Sequence, residues 1–206
     1  MRFTSLVLMI VAAVGVALAG RVPGAEPAPH RDNAKAIFAG GCFWCVEEAF
    51  DGVAGVLSTT SGYTGGSTRD PSYEEVSAGA TGHAEAVLVV YDPAVTTYSA
   101  LLGVFWHNID PTDAGGQFCD RGESYRSAIF TGDDEQHRLA EASKRALEES
   151  GRFDAPIATE IVRAGRFYEA ESYHQNYYQK NPIRYKLYKW NCRRAQRLEQ
   201  IWGEKP

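Results

Sequence analysis

Apolar residues along this chain repeat with two alternating periods, two residues in some segments and three to four in the next. That is the pattern of strands interleaved with helices. Lys35 to Phe38 reads as a short buried strand running into Gly40-Gly41, after which Phe43, Val46, Phe50 and Val53 recur at helical spacing. Val56 to Ser61 predicts a second strand, followed by a loop from Gly62 to Pro71 rich in Gly, Ser and Thr. Ala84 to Tyr91 is a stronger strand, stopped by Asp92-Pro93. Tyr98, Leu101, Leu102 and Phe105 mark a helix from Tyr98 to Asn108, capped by Thr96 or Thr97 and ended by Asp110-Pro111. Tyr125 to Phe130 and Ile157 to Val162 read as strands around a polar-faced helix, Asp133 to Ser150, which Gly151 closes. Glu171 to Lys180 reads as helix up to Asn181-Pro182, and the tail to Trp202 is mixed. This order predicts an α+β fold, a two-layer α/β sandwich with a mixed sheet.

The N-terminus stands apart from that pattern. Residues 3–20 carry no charge, follow Arg2 and include Ala17-Leu18-Ala19, a small-residue cleavage pattern. They predict a secretory signal peptide over residues 1–19. If it were retained, the uncharged run is close to the shortest length that spans a bilayer and would act as a membrane anchor. Residues 20–33 read as a flexible leader, with three prolines and no apolar period. Residues 34–206 then form one domain, with a ferredoxin-like core and a long, irregular C-terminal tail. Of the 206 residues, 187 remain after the first 19 are removed, enough for a substantial core. Arg2 leaves with the leader, taking the formal charge from −5 to −6, which argues against a general nucleic-acid binder. Arg193, Arg194 and Arg197 read as a solvated helix face, and the protein as an exported monomer, periplasmic in a double-membraned bacterium.

All four cysteines, Cys42, Cys45, Cys119 and Cys192, lie in the mature part. In an exported protein an even count makes structural disulfides the default, yet this chain is long and not cysteine-dense. Cys42-x-x-Cys45 has no second such pair to complete a zinc site, so no metal is expected. Gly40-Gly41-Cys42-Phe43-Trp44-Cys45 instead puts Cys42 at a strand-to-helix junction. There, free N–H groups and the positive end of the helix dipole would favour thiolate, with two aromatics as an apolar receptor beside it.

Four segments carry a resemblance: Gly41-Cys42-Phe43-Trp44; Gly62-Tyr63-Thr64-Gly65-Gly66; Tyr73-Glu74-Glu75-Val76 leading to Thr81-Gly82-His83-Ala84-Glu85; and Asp120-Arg121-Gly122 leading to Tyr125-Arg126-Ser127-Ala128-Ile129. Together with Tyr173-His174-Gln175 and Lys180-Asn181-Pro182, they resemble the A-type peptide methionine sulfoxide reductases in family order. The resemblance implies that Cys42 attacks the sulfoxide sulfur of the S epimer and that Glu85 protonates the departing oxygen. It implies that Tyr73 and Tyr125 hold that oxygen, that Phe43 and Trp44 receive the methyl group, and that Asp120 orders the network. His174 reads as a packing or hydrogen-bonding residue as readily as a substrate contact.

The chemistry has a physical logic of its own. A sulfoxide is a polar S=O on an apolar side chain, so it needs aromatic walls and hydroxyl donors. Its oxygen leaves poorly unless protonated, and a carboxyl raised by burial can supply that proton near neutral pH. The thiol ends as a sulfenic acid, which a second thiol converts to a disulfide, and an external dithiol, a thioredoxin-like protein or dithiothreitol, must reduce it. The resemblance implies no bound cofactor, and oxidised proteins or free methionine sulfoxide as substrates. Two resolving cysteines compete. Cys45 lies one helical turn from Cys42, whereas Cys192, slightly favoured, requires the tail to fold back over the site. Cys119 reads by default as a buried, inert thiol. Two rivals are a thioredoxin-like oxidoreductase using Cys42 and Cys45, and a secreted binding module stabilised by disulfides with no free thiol.

Overall fold

The computed structural model describes residues 33–203, which belong to one compact unit. The predicted signal peptide and all but the last residue of the predicted leader lie outside the described residues. The strands are β1 (Ala34–Gly40), β2 (Val56–Thr64), β3 (Ala84–Tyr91), β4 (Gly116–Gln117), β5 (Asp120–Arg121), β6 (Ser127–Thr131), β7 (Glu160–Arg163) and β8 (Tyr168–Glu169). The helices are α1 (Phe43–Asp51), α2 (Tyr73–Ser77), α3 (Tyr98–Trp106), α4 (Asp134–Glu149), α5 (Tyr177–Lys180), α6 (Pro182–Asn191) and α7 (Arg194–Trp202). Six strands form one sheet in the order β7-β6-β1-β3-β2-β8, while β4 and β5 form a separate hairpin. Only β6 and β7 run parallel within the larger sheet, so it is mixed, as the sequence predicts.

The pleat of β1 and β3 explains the layering. Ala36 and Phe38 point to one face with Val87 and Val89, and the residues between them, Ile37 and Ala39, point to the other with Ala84 and Ala86. The first face carries the main core: Phe38 stacks at 5.0 Å on Phe50 of α1 and at 5.2 Å on Phe105 of α3. The second face is alanine-rich, since the segment bearing Ala164 and Phe167 lies directly on it. Gly62 marks how close that segment comes, because a Cβ there would run into the Tyr168 carbonyl and the Phe167 ring.

Several elements differ from their sequence reading. β2 continues through Gly62 to Thr64, where composition predicts a loop, because β3 pairs with it along its whole length. α2 has no apolar period long enough to reveal it, and its signal is the capping box in which Ser72 and Glu75 satisfy each other's backbone N–H groups. Thr97, not Thr96, caps α3 by accepting from the Ala100 N–H at 3.2 Å. The helix expected from Glu171 shrinks to Tyr177–Lys180. The Gln175 carboxamide bonds Ser61 O and Ala170 O at 2.8 Å each, and the Glu47 carboxylate takes the N–H of Asn176, which sits at φ 53°. These bonds hold the segment in turns. The tail is more regular than expected, since α6 starts with Pro182 at its first turn and α7 follows after Arg193.

Candidate active site

The site begins where β1 ends. Gly41 turns the chain at φ 81°, and a Cβ there would meet Gln117 Cβ at 2.6 Å, so the turn requires glycine. Cys42 is the N-cap of α1, its carbonyl accepting from the Cys45 N–H at 3.0 Å. Buried Gln117 fixes the neighbouring hairpin: its carboxamide accepts from Asp110 N and donates to Asp110 O, both at 2.8 Å. Glu85 comes from the first turn-facing end of β3, on the same pleat face as Val87 and Val89, so it points under the start of α1 rather than to solvent. The Phe43 N–H donates to Glu85 Oε2 at 3.0 Å. That bond changes the expectation for Cys42, because the first free N–H of the helix serves the carboxyl and not the sulfur.

A cavity of about 230 Å³ brings together all seven residues that the sequence assigns to catalysis and substrate binding. Cys42 and Glu85 supply the sulfur and the carboxyl, Phe43 and Trp44 the aromatic wall, and Tyr73, Tyr125 and Asp120 the polar side. Tyr188 of α6 completes the lining and was not foreseen. Its hydroxyl donates to Asp120 Oδ2 at 2.5 Å. The aromatic repeat Tyr185, Tyr188 after Asn181-Pro182 is the sequence signal that could have placed it on a helix face. His174 does not line the cavity. It accepts from the Trp44 indole N–H at 3.1 Å and packs 4.9 Å from the Phe43 ring, which fixes both aromatics from behind. Tyr177 stacks on Trp44 at 3.7 Å from the other side.

Burial governs the electrostatics. It pushes the Glu85 carboxyl up to about 8, against the pull of the Phe43 N–H and with help from nearby Asp120. The same cause raises Tyr73 to about 12 and holds Tyr125 and Tyr188 still higher, so all three remain hydroxyl donors. Burial also raises the Cys42 thiol, which its hydrogen bond with Cys45 raises further. Cys45 moves the other way, down to about 6, through that hydrogen bond and the positive charge of Arg194. Burial thus works against the thiolate that the helix start is expected to favour at Cys42.

The remaining cysteines also depart from expectation. Cys119 is exposed and forms a disulfide with Cys192, so it is neither buried nor an inert thiol, and Cys192 is not held as a free resolving thiol. Cys42 and Cys45 are the free cysteines, both buried. The solvated arginine face is likewise corrected at Arg194, which is buried 4.3 Å from the Phe118 ring and bonded to Asn108 O. Arg197 pairs with Asp110 at 2.7 Å.

The family model for peptide methionine sulfoxide reductase matches residues 34–206. The chain belongs to that family. Among its relatives, the peptide methionine sulfoxide reductase MsrA of Bacillus licheniformis is 56% identical over 170 residues, covering 82% of this chain and 94% of that protein. The protein of the same name from Ligilactobacillus salivarius is 57% identical over 152 residues, covering 74% and 88%. Methionine sulfoxide reductase A of Corynebacterium diphtheriae superposes with a TM-score of 0.67 at 35% identity, covering 75% of this chain and 78% of that one. Mxr1 from Saccharomyces cerevisiae in its reduced form gives a TM-score of 0.67 at 32% identity, covering 77% and 90%. The reductase thus shares the α+β fold of these structures and returns methionine sulfoxide to methionine with electrons from thiols. Free Cys42 and Cys45 run against the rival reading of a binding module with every thiol locked in disulfides.

Proposed function

We propose that this reductase acts on the S epimer of methionine sulfoxide, free or in proteins, with Cys42 as nucleophile and Glu85 as acid. The observation that carries this reading is a buried carboxyl, raised to about 8, sharing one small cavity with a thiol and two aromatic walls. Phe43 and Trp44 receive the methyl group, while Tyr73 and Tyr125 donate to the sulfoxide oxygen and Asp120, bonded by Tyr188, orders the polar side. Glu85 protonates that oxygen as Cys42 attacks sulfur, and the Cys42 proton passes to Cys45. The net step is proton-neutral: a thiol and a sulfoxide give a sulfenic acid and a thioether.

Cys45 then resolves the sulfenic acid, releasing water and leaving a Cys42–Cys45 disulfide. Its free thiol one helical turn from Cys42 supports it over Cys192, whose sulfur is bonded to Cys119. An external dithiol, a thioredoxin-like protein in the cell or dithiothreitol in the test tube, restores the pair. With dithiothreitol as reductant, the S sulfoxide is expected to be turned over at least about 100-fold faster than the R epimer. Equal rates for the two epimers would reject the stereochemical assignment.

The uncharged run over residues 3–20 and the Ala17-Leu18-Ala19 pattern support export, with cleavage after Ala19. Intact mass of protein recovered from outside the cytoplasm should lack residues 1–19. Recovery of the full-length mass in the membrane fraction would point to an anchor instead.

A further inference from the structure

The chemistry at Cys42 and Glu85 gives one fully buried carboxyl no part. Glu47 lies on α1, one helical turn after Phe43 and Trp44, with 0% of its surface exposed. A buried carboxyl costs stability unless its oxygens are bonded, and a leucine would fill the same space without that cost. Both oxygens turn to one partner: the Asn176 N–H donates to them at 3.0 and 3.2 Å. Asn176 sits between the two residues that hold the Trp44 ring, His174 accepting its indole N–H and Tyr177 stacked on it within 8° of parallel. A ring of contacts thus leaves α1 at Glu47, crosses this turn and returns to α1 at Trp44. Other bonds fix the turn elsewhere. Gln175 ties it to Ser61 of β2, and Glu171 accepts from the Tyr63 hydroxyl at 2.8 Å and the Tyr73 N–H at 2.9 Å. Those bonds set the turn against the sheet and α2, whereas Glu47 sets its backbone against the helix that carries the methyl wall. Asp51 of α1 also reaches this segment, accepting from the Tyr178 hydroxyl at 2.6 Å, but through a side chain beyond Tyr177.

We infer that Glu47 is a positioning residue that sets the size selectivity of the methyl pocket, by fixing Asn176 and with it the His174–Tyr177 brace on Trp44. This rests on the reading that Phe43 and Trp44 receive the methyl group. With the turn anchored to α1, the indole cannot give way to a larger group, because rings packed on both sides leave it no free volume. Without the carboxyl, Asn176 is released, the brace loosens and the wall admits an extra carbon. Cys42 and Glu85 stay where they are.

Ethionine S-sulfoxide, one methylene larger than methionine S-sulfoxide, probes this directly. With dithiothreitol as reductant, the wild-type full-length protein should prefer the methionine compound in kcat/KM by at least about 10-fold, the discrimination one misfit methylene provides. Glu47→Leu should cut that preference at least about fivefold, chiefly through a raised KM for methionine S-sulfoxide at nearly unchanged kcat. Glu47→Gln, whose carboxamide oxygen can still accept from the Asn176 N–H, should restore most of it. Tyr177→Ala, at a half-buried position, should lose the preference as well, and adding it to Glu47→Leu should cost little more, since both act on one ring. A lowered melting temperature with the wild-type preference intact in Glu47→Leu would make Glu47 a packing residue only and overturn the inference. So would full preference in Tyr177→Ala, which decides the matter if Glu47→Leu does not fold. Equal kcat/KM for the two compounds in the wild-type protein would instead reject the methyl pocket itself, and the role of Glu47 with it.

Discussion

Cys42→Ser is expected to abolish reduction of methionine S-sulfoxide, lowering the single-turnover rate by at least about 10⁴-fold, as loss of a covalent nucleophile does elsewhere. A serine hydroxyl at this buried N-cap keeps the volume and a hydrogen-bonding group, so the fold should survive with little change in melting temperature. The measurement is a rapid-quench assay of methionine formed in one turnover, alongside circular dichroism of the variant. Retained turnover in folded Cys42→Ser would remove the sulfur from its central place.

Glu85→Gln should slow the reductive step by about 10²–10⁴-fold while altering substrate binding much less, which is the signature of a lost general acid. The amide still accepts from the Phe43 N–H but has no proton to give. Because the wild-type carboxyl is raised to about 8, its acid form persists at neutral pH and is lost above that value. The single-turnover rate should therefore fall as pH rises past about 8, and that limb should be absent from whatever activity the variant keeps. Stability follows the same sign. The folded state holds this proton more tightly than the unfolded chain, so its contribution is full below about 4.5 and is lost as pH climbs through 8. Glu85→Gln should accordingly lose less melting temperature than wild type between pH 5 and pH 9. An unchanged single-turnover rate would exclude the acid role.

Local chemistry made part of this site legible in the sequence. The two periods meet at Gly41, so the strand-to-helix junction and the place of Cys42 on it could be read from spacing alone. Glu85 shows the opposite case. Exposure statistics place a strand glutamate in water, and only its register with Val87 and Val89 turns it under α1. The motif order identified it where periodicity would not have. Tyr188 and the Cys119–Cys192 bond were beyond reach because they depend on where α6 docks, across a sequence separation of 73 residues. The shortened α5 has the same origin: Glu47 and Gln175 capture backbone groups far away in the chain, and that pull outweighs local helix preference. The direction of the Cys42 shift was missed for a related reason. A helix start favours thiolate most when its first N–H is free and the sulfur is solvated, and here the Phe43 N–H serves Glu85 and the sulfur is buried.

The bond from the Phe43 N–H to Glu85 has one more consequence. The carbonyl oxygen of a carboxyl is its better acceptor, so the N–H at Oε2 favours that oxygen as the carbonyl and Oε1 as the one that carries the acidic proton. The two carboxyl oxygens are thereby made inequivalent before any substrate arrives. The backbone of the residue next to the nucleophile thus sets which oxygen delivers the proton, and the first turn of α1 aims the acid as well as the sulfur.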